Sequence, residues 1–124
     1  MTWKLNARRA DYFKDDDGTE PVKEWLKTLK KKKKHVEHGK ITTRIGRAES
    51  GNFGDHKILG GNWGEIRIDF GPGYRVYFGI DGDEIILLLH GGTKEDQQVD
   101  IELAEERWKR YLKNKKERTD GKQK

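Results

Sequence analysis

The sequence predicts an α+β domain, and three observations carry that expectation. Apolar residues recur at helical spacing in the first half, as Val22, Trp25, Leu26 and Leu29 and then Ile41, Ile45 and Ala48. Through the middle they alternate with period two, over Ile66–Phe70 and Tyr74–Ile80. Helical spacing returns near the end in Ile101, Ala104, Trp108, Tyr111 and Leu112. A switch from period 3.6 to period 2 and back is the pattern of helices and strands in separate blocks.

Taken in order, Trp3, Leu5 and Ala7 alternate with Lys4, Asn6 and Arg8, which predicts a short strand. Asp15-Asp16-Asp17-Gly18 has loop composition. Thr19-Glu20-Pro21 is a helix start, because an early proline and an acidic first turn suit the unpaired amides there. The run Lys30–Lys34 ends or kinks that helix, and a second one carries Ile41, Ile45 and Ala48. Ser50-Gly51-Asn52-Phe53-Gly54-Asp55 is a loop by composition.

A β-meander follows. Closing a hairpin over Gly71-Pro72-Gly73 pairs Phe70 with Tyr74, Ile68 with Val76 and Ile66 with Phe78. Apolar residues then meet apolar residues, and a one-residue slip would turn the whole set to the wrong face. The same register places Arg67 across from Tyr77 and Arg75 across from Asp69. Asp81-Gly82 suits a two-residue turn into a strand over Glu84–His90. Ile85–Leu89 is apolar on both faces, as a central strand covered twice should be, and this turn puts His90 on the face of Arg75. The final helix begins near Asp96. Residues 1–112 form one domain, and residues 113–124 are expected to be a frayed basic tail.

Composition narrows the function. Of 124 residues 40% are charged and 31% hydrophobic, yet four Trp, four Tyr and four Phe supply material for a small core. No 18-residue apolar window exists, and Met1-Thr2-Trp3-Lys4 lacks the apolar stretch of a secretory signal. Zero cysteines exclude a disulfide framework, a thiolate zinc site and a thiol nucleophile, so a cytoplasmic protein is expected. The net charge of +5 is segregated: residues 24–50 carry +6, residues 81–106 carry −8 and residues 109–124 carry +6. Such blocks suit a polyanion or a charged protein partner.

Arg67 and Arg75 on strands, with Tyr77, His90 and Lys94 nearby, form the most informative constellation. Guanidinium groups hold phosphate bidentately and keep their charge, and Lys94 stands where Gly91-Gly92-Thr93 leads out of the central strand. Converging cations stabilise a phosphorane-like transition state, while His90 or Tyr77 can transfer a proton or stack on a base. The ordinary alternative pairs these arginines with acids, Arg75 with Asp69 first among them. Lys31, Lys32, Lys33 and Lys34 are either a solvated helix end or a contact for RNA, and Lys57 adds a further cation. His35 and His38 have a spacing available to metal ligands, but no third ligand accompanies them. Gly60-Gly61, Gly71-Pro72-Gly73 and Gly91-Gly92 lie outside any Walker or dinucleotide context and read as turns. No Ser/His/Asp triad is evident. Trp25 and Trp108 fit core anchors at helical spacing.

Several strings occur together and in order: Gly51-Asn52-Phe53-Gly54-Asp55-His56-Lys57, Glu65-Ile66-Arg67-Ile68, Gly71–Phe78 and Leu87–Lys94. Gln98-Val99-Asp100-Ile101 and Ala104 complete the series. This composite, over roughly residues 20–110, resembles the phage-derived, HigB-like addiction-module killer branch of the RelE/ParE toxin superfamily. The resemblance implies a RelE-like fold, with N-terminal helices and a C-terminal helix on a twisted, mainly antiparallel sheet of four to five strands. It implies a type II toxin that cleaves mRNA, commonly in the ribosomal 30S A site, without a metal or other cofactor. The RNA 2′-hydroxyl would attack the adjacent phosphate. Arg75 and Lys94 match basic positions of that family and Arg67 lies near another, while Asp100 stands where RelE carries a tyrosine. His90 or Tyr77 would take that tyrosine's part. The implied partner is a helix-turn-helix antitoxin, through which alone the complex would meet DNA. The ParE branch shares the fold and inhibits DNA gyrase instead, and an inactive RNA-binding or regulatory module is a third alternative.

Overall fold

The computed structural model describes residues 7–122, with side chains through residue 118. Five strands form one sheet in the order β1-β5-β4-β3-β2, flanked by three helices. The strands are β1 (Arg9–Tyr12), β2 (His56–Gly60), β3 (Trp63–Ile68), β4 (Tyr74–Asp81) and β5 (Ile85–Thr93). Helices α1 (Pro21–Lys31) and α2 (His35–Glu49) precede β2, and α3 (Gln97–Lys122) follows β5 through a short 3₁₀ turn at Lys94–Asp96. The α+β class is therefore as expected, and the sheet is mixed, because β1 pairs with β5 in parallel.

The expected strand around Trp3 and Leu5 lies outside the described residues; the first described strand is Arg9–Tyr12. Helix α1 starts with Pro21 in its first turn, after an extended Glu20, and buries Val22, Leu26 and Leu29. It stops where Lys33 adopts a left-handed backbone, φ +60°, with Lys34 N–H donating to the Leu29 carbonyl. Helix α2 buries Ile41, Ile45 and Ala48. Both helices cover the sheet face formed by Ile66, Ile68, Tyr74, Val76, Phe78, Ile80, Ile86 and Leu88. Each fully buried aliphatic side chain here contributes about 1.5–3 kcal/mol.

On the opposite face α3 sets Ala104 and Trp108 against Trp63, Tyr77, Leu87 and Leu89. Gly79 makes this docking possible: a Cβ there would lie 2.3 Å from the Trp108 ring. The helix extends past Lys113, through Lys122. Its C-terminal half is tied to the end of β4, where Asp81 accepts from both the Tyr111 hydroxyl and the Lys115 ammonium.

Three details of the meander differ from expectation. The β3–β4 hairpin pairs Ile68 with Tyr74, Arg67 with Arg75, Ile66 with Val76 and Glu65 with Tyr77. Its connection takes five residues, Asp69 to Gly73, because a turn closed by Gly73 N–H to the Phe70 carbonyl (3.0 Å) releases β3 at Ile68. Gly71, at φ +56°, supplies the left-handed residue that turn needs. A displacement of two residues keeps every side chain on its face, so alternation alone does not detect it. The β4–β5 connection is likewise longer than Asp81-Gly82. Asp81 pairs with Ile85, leaving Gly82, Asp83 and Glu84 in the turn. Finally, the ladder shifts between Tyr77 and Phe78, which pair with His90 and Leu88, so Leu89 is an extra residue in β5. This bulge puts Leu89 and His90 both on the α3 side.

Candidate functional site

Beyond the apolar cluster under α3, the same sheet face turns polar. Register places Lys57, Glu65, Tyr77 and His90 in one row across β2, β3, β4 and β5. The next row holds Arg67, Arg75 and Gly92.

Glu65 is the hub. It is fully buried, a position a carboxylate holds only with partners. Its Oε2 lies 3.0 Å from Arg75 Nε and 3.4 Å from Arg67 Nε. Gln97, in the first turn of α3, donates to both carboxylate oxygens at 3.2 and 3.3 Å. The acid facing Arg75 is therefore Glu65, not Asp69, a consequence of the displaced register. Arg75 also donates from Nη1 to the Tyr74 carbonyl at 3.1 Å. The Arg67 side chain is 34% exposed and reaches the surface, whereas that of Arg75 is largely buried, 11% exposed. Behind β3, Arg44 of α2 donates to the Arg67 carbonyl at 2.8 Å and fixes the strand from the other layer.

Lys94 is exposed at the open end of this row. Its amide donates to the Gly73 carbonyl at 2.7 Å, and a Cβ on Gly73 would meet the Lys94 Cβ at 3.3 Å and Arg75 Nη1 at 3.8 Å. The turn before β4 thus brings Lys94 beside Arg75.

His90 occupies the other end. Its Nε2 lies 2.8 Å from Asp100 Oδ1, and its Nδ1 lies 2.8 Å from Arg107 Nη1. Arg107 Nη1 also donates to the Leu89 carbonyl at 2.9 Å. Burial pushes the His90 imidazole below the ordinary histidine value of 6.5, and the Arg107 charge adds to this, while Asp100 opposes it. Asp100 reaches the sheet because Gly92 has no side chain: a Cβ there would lie 2.1 Å from Asp100 Oδ2.

Tyr77 lies between the two groups and is fully buried, its ring 6.1 Å from that of His90. Burial, reinforced by the charges of Glu65 and Asp100, pushes its phenol well above the ordinary value, so it stays protonated. A ring with no exposed surface is not a stacking platform, which removes one of the parts expected for it. Among the described residues, the Tyr77 hydroxyl, Asp100 Oδ2 and the Nε atoms of Arg67, Arg75 and Arg107 are buried without a hydrogen-bond partner. The contacts of Glu65 with the Nε atoms of Arg67 and Arg75 are therefore ion pairs, not hydrogen bonds.

The structure therefore brings Arg67, Arg75, Tyr77, His90 and Lys94 together, with Lys57 exposed at the edge of the same face. Lys31, Lys32, Lys33 and Lys34 are not part of the cluster; they lie exposed at the α1–α2 turn, in the helical layer on the opposite face. A recess of about 540 Å³ in that layer, lined by Val36, Lys40, Arg47 and Phe70, is separate from the cluster as well. Sequence reasoning passed over Glu65, Gln97 and Arg107 as ordinary polar positions, and noted Asp100 only as a mismatch. Glu65 offers one signal: it lies within a strand of buried residues and shares a face with two arginines.

An uncharacterized protein of Haemophilus influenzae is 42% identical to this chain over 80 residues, which span 64% of this chain and 78% of that protein. The chain belongs to that protein's family. No family model matches the chain, and no solved structure matches it. The chemistry of the cluster is therefore argued from its own geometry. Arg67 and Arg75 stand opposite one another on neighbouring strands, the exposed Lys94 follows beside the turn at Gly73, and a histidine–carboxylate pair lies on the same sheet face. Such a set can bind a phosphodiester and handle a proton beside it.

Proposed function

We propose that this protein is the toxin of a type II toxin–antitoxin pair and acts as a ribosome-associated endoribonuclease on mRNA. The observation that carries the reading is the pairing of Arg67 with Arg75 around one buried carboxylate, with Lys94 at the open end of the row. Glu65 forms ion pairs with the Nε edges of both arginines and so holds two cations side by side on neighbouring strands. It also reduces the repulsion between two cations on neighbouring strands. The resemblance to HigB-like toxins, carried by residues of this same cluster, supports the choice of RNA as substrate.

In this reading Arg75 and Lys94 hold the scissile phosphate, and Arg67 orients the strand beside it. The RNA 2′-hydroxyl attacks phosphorus, the bond to the 5′-oxygen breaks, and a 2′,3′-cyclic phosphate and a 5′-hydroxyl result. The cations offset charge that develops on the phosphoryl oxygens. His90 is the group suited to move the proton, since the Tyr77 phenol is sequestered. Lys57 lies where it can track the RNA backbone. The partner in this reading is a helix-turn-helix antitoxin that masks the cationic face.

Induced expression with mapping of mRNA 5′ ends tests the proposal. Arg75→Ala and Lys94→Ala should each lower cleavage by about 10²-fold or more, as loss of a transition-state donor does. Unchanged cleavage in both variants would overturn the site. Growth arrest with gyrase–DNA cleavage complexes and intact mRNA would favour the gyrase reading instead, and expression without arrest would favour an inactive binding module.

A further inference from the structure

The contacts of His90 contain more information than its position. Both ring nitrogens are engaged, and the two partners are chemically unlike. Arg107 has donors only, so Nδ1 must accept from it at 2.8 Å. Nδ1 therefore carries no proton, and the proton of the neutral ring sits on Nε2, which donates to Asp100 Oδ1 at 2.8 Å. Two neighbours in one helix, Asp100 and Arg107, thus select one tautomer. A histidine held this way has no lone pair to offer, because its one acceptor nitrogen faces a guanidinium.

We propose that Asp100 and Arg107 are positioning residues for His90, with Arg107 closing Nδ1 until an anionic ligand draws its guanidinium away. Once Arg107 turns to the anion, Nδ1 is free to take a proton. The functional part of this inference rests on the reading of the cluster as an RNA-cleaving site. There, the O–H bond of the 2′-hydroxyl breaks as an N–H bond forms at Nδ1, and the resulting imidazolium is stabilised by Asp100 through Nε2–H. The same proton then passes to the leaving 5′-oxygen, and the ring returns to its neutral state. Substrate phosphate is thereby required to expose the base.

Other features of the fold agree. Arg107 is held on the Leu89 carbonyl by the same Nη1, so one small rotation of its side chain frees both acceptors. The β5 bulge turns His90 toward α3, and Gly92 leaves the space that Asp100 fills. The charged and titratable groups around the ring are Asp100 and Arg107 from α3 and Tyr77 from β4. Glu65 of β3 and Arg75 of β4 lie beyond Tyr77. Tyr77, uncharged and fully buried, does not compete for the proton.

Long-range proton–nitrogen NMR of the uniformly ¹⁵N-labelled full chain tests the tautomer without any activity. The Nε2-protonated form of His90 is expected, titrating below the ordinary value. Arg107→Leu should raise that midpoint and weaken the tautomer preference, which Asp100 alone then holds, Arg107→Lys should restore both in part, and Asp100→Asn should lower the midpoint. A non-cleavable 2′-deoxy oligonucleotide should raise it in the parent chain and not in Arg107→Leu. Finding Nδ1–H, or a midpoint that Arg107→Leu leaves unchanged in a chain whose circular dichroism is native, would overturn the proposal. Should Arg107→Leu not fold, the tautomer of the parent chain and the Arg107→Lys titration decide it. If RNA is cleaved, the acid limb of the kcat/KM profile should follow the His90 midpoint in each variant. If RNA is not cleaved while the tautomer and midpoint shifts hold, the nuclease reading fails and the positioning of His90 stands.

Discussion

At the scale of single residues, Glu65 decides whether the cationic face can exist. Two arginines opposite one another on neighbouring strands repel, and a buried carboxylate between them turns that repulsion into a network. Glu65→Ala leaves both guanidinium groups beside a vacated buried site and should cost about 3–5 kcal/mol, read from urea unfolding. Glu65→Gln keeps the shape and part of the hydrogen bonding and should cost less. Should the two variants be equally stable, the carboxylate charge is not what holds the arginines. Lys33 offers a change of the opposite sign. Its φ of +60° is unfavourable for a side chain bearing Cβ, whereas glycine adopts it freely. Lys33→Gly should therefore be neutral to stabilising by up to about 1 kcal/mol, although glycine also gains entropy in the unfolded chain. Thermal unfolding of the two chains makes the comparison. Loss of more than that amount would show that the Lys33 side chain holds the turn.

At the scale of elements, close approach substitutes for area in a chain with few apolar residues. Gly79 lets Trp108 lie directly on β4, and Gly91 does the same for Trp25 on the other face, where a Cβ would come within 2.2 Å of the ring. The atoms a Cβ would meet belong to rigid rings packed in the core, so they cannot yield cheaply. Gly79→Ala should thus displace α3 and destabilise by about 1–3 kcal/mol or more, with loss of near-ultraviolet dichroism from Trp108. An unaltered spectrum and stability would mean that α3 is held mainly by its polar tethers. Those tethers are real: Asp81, bonded to Tyr111 and Lys115, is kept below the usual carboxylate range despite burial that acts the other way. They explain why α3 persists beyond its apolar stripe, whose final member, Leu112, is 43% exposed. Helical spacing placed α1 and α2 well, because each helix buries one continuous stripe. Alternation assigned the faces of β3 and β4 but not their partners.

At the scale of the whole molecule, the polar network makes folding sensitive to acid in two stages. His90 and His38 are both pushed below 6.5 by burial, so the native state binds fewer protons than the unfolded chain just below that value. Their contribution is present above pH 6.5 and is lost as pH falls through the native-state values. Asp15 is held below 3.8 by hydrogen bonds, chiefly from the Asp16 amide and then from Arg110. Its contribution, with that of Asp81, is lost only at lower pH, below 3.8. Stability measured against pH should therefore decline first below about 6.5. His90→Gln should remove part of that first decline and leave the second, lower one in place. A first decline of undiminished size in His90→Gln would place it on His38 alone. No described helix is long and apolar enough to cross a membrane.

The sequence by itself determined the α+β class, the helical stripes, the faces of the meander and the residue types of the cationic cluster. Each of these follows from periodicity and composition, which are local properties of the chain. The 40% charge, segregated into blocks, already pointed to a surface given over to charged partners. Only the tertiary structure decided that Arg67 faces Arg75, that Glu65 lies between them, and that Asp100 and Arg107 hold the two nitrogens of His90. A two-residue change of register, the bulge at Leu89 and the parallel pairing of β1 with β5 leave the hydrophobic pattern unaltered. They are set by turn geometry and by packing between segments distant in the chain, and so had no trace in the alternation that identified the strands.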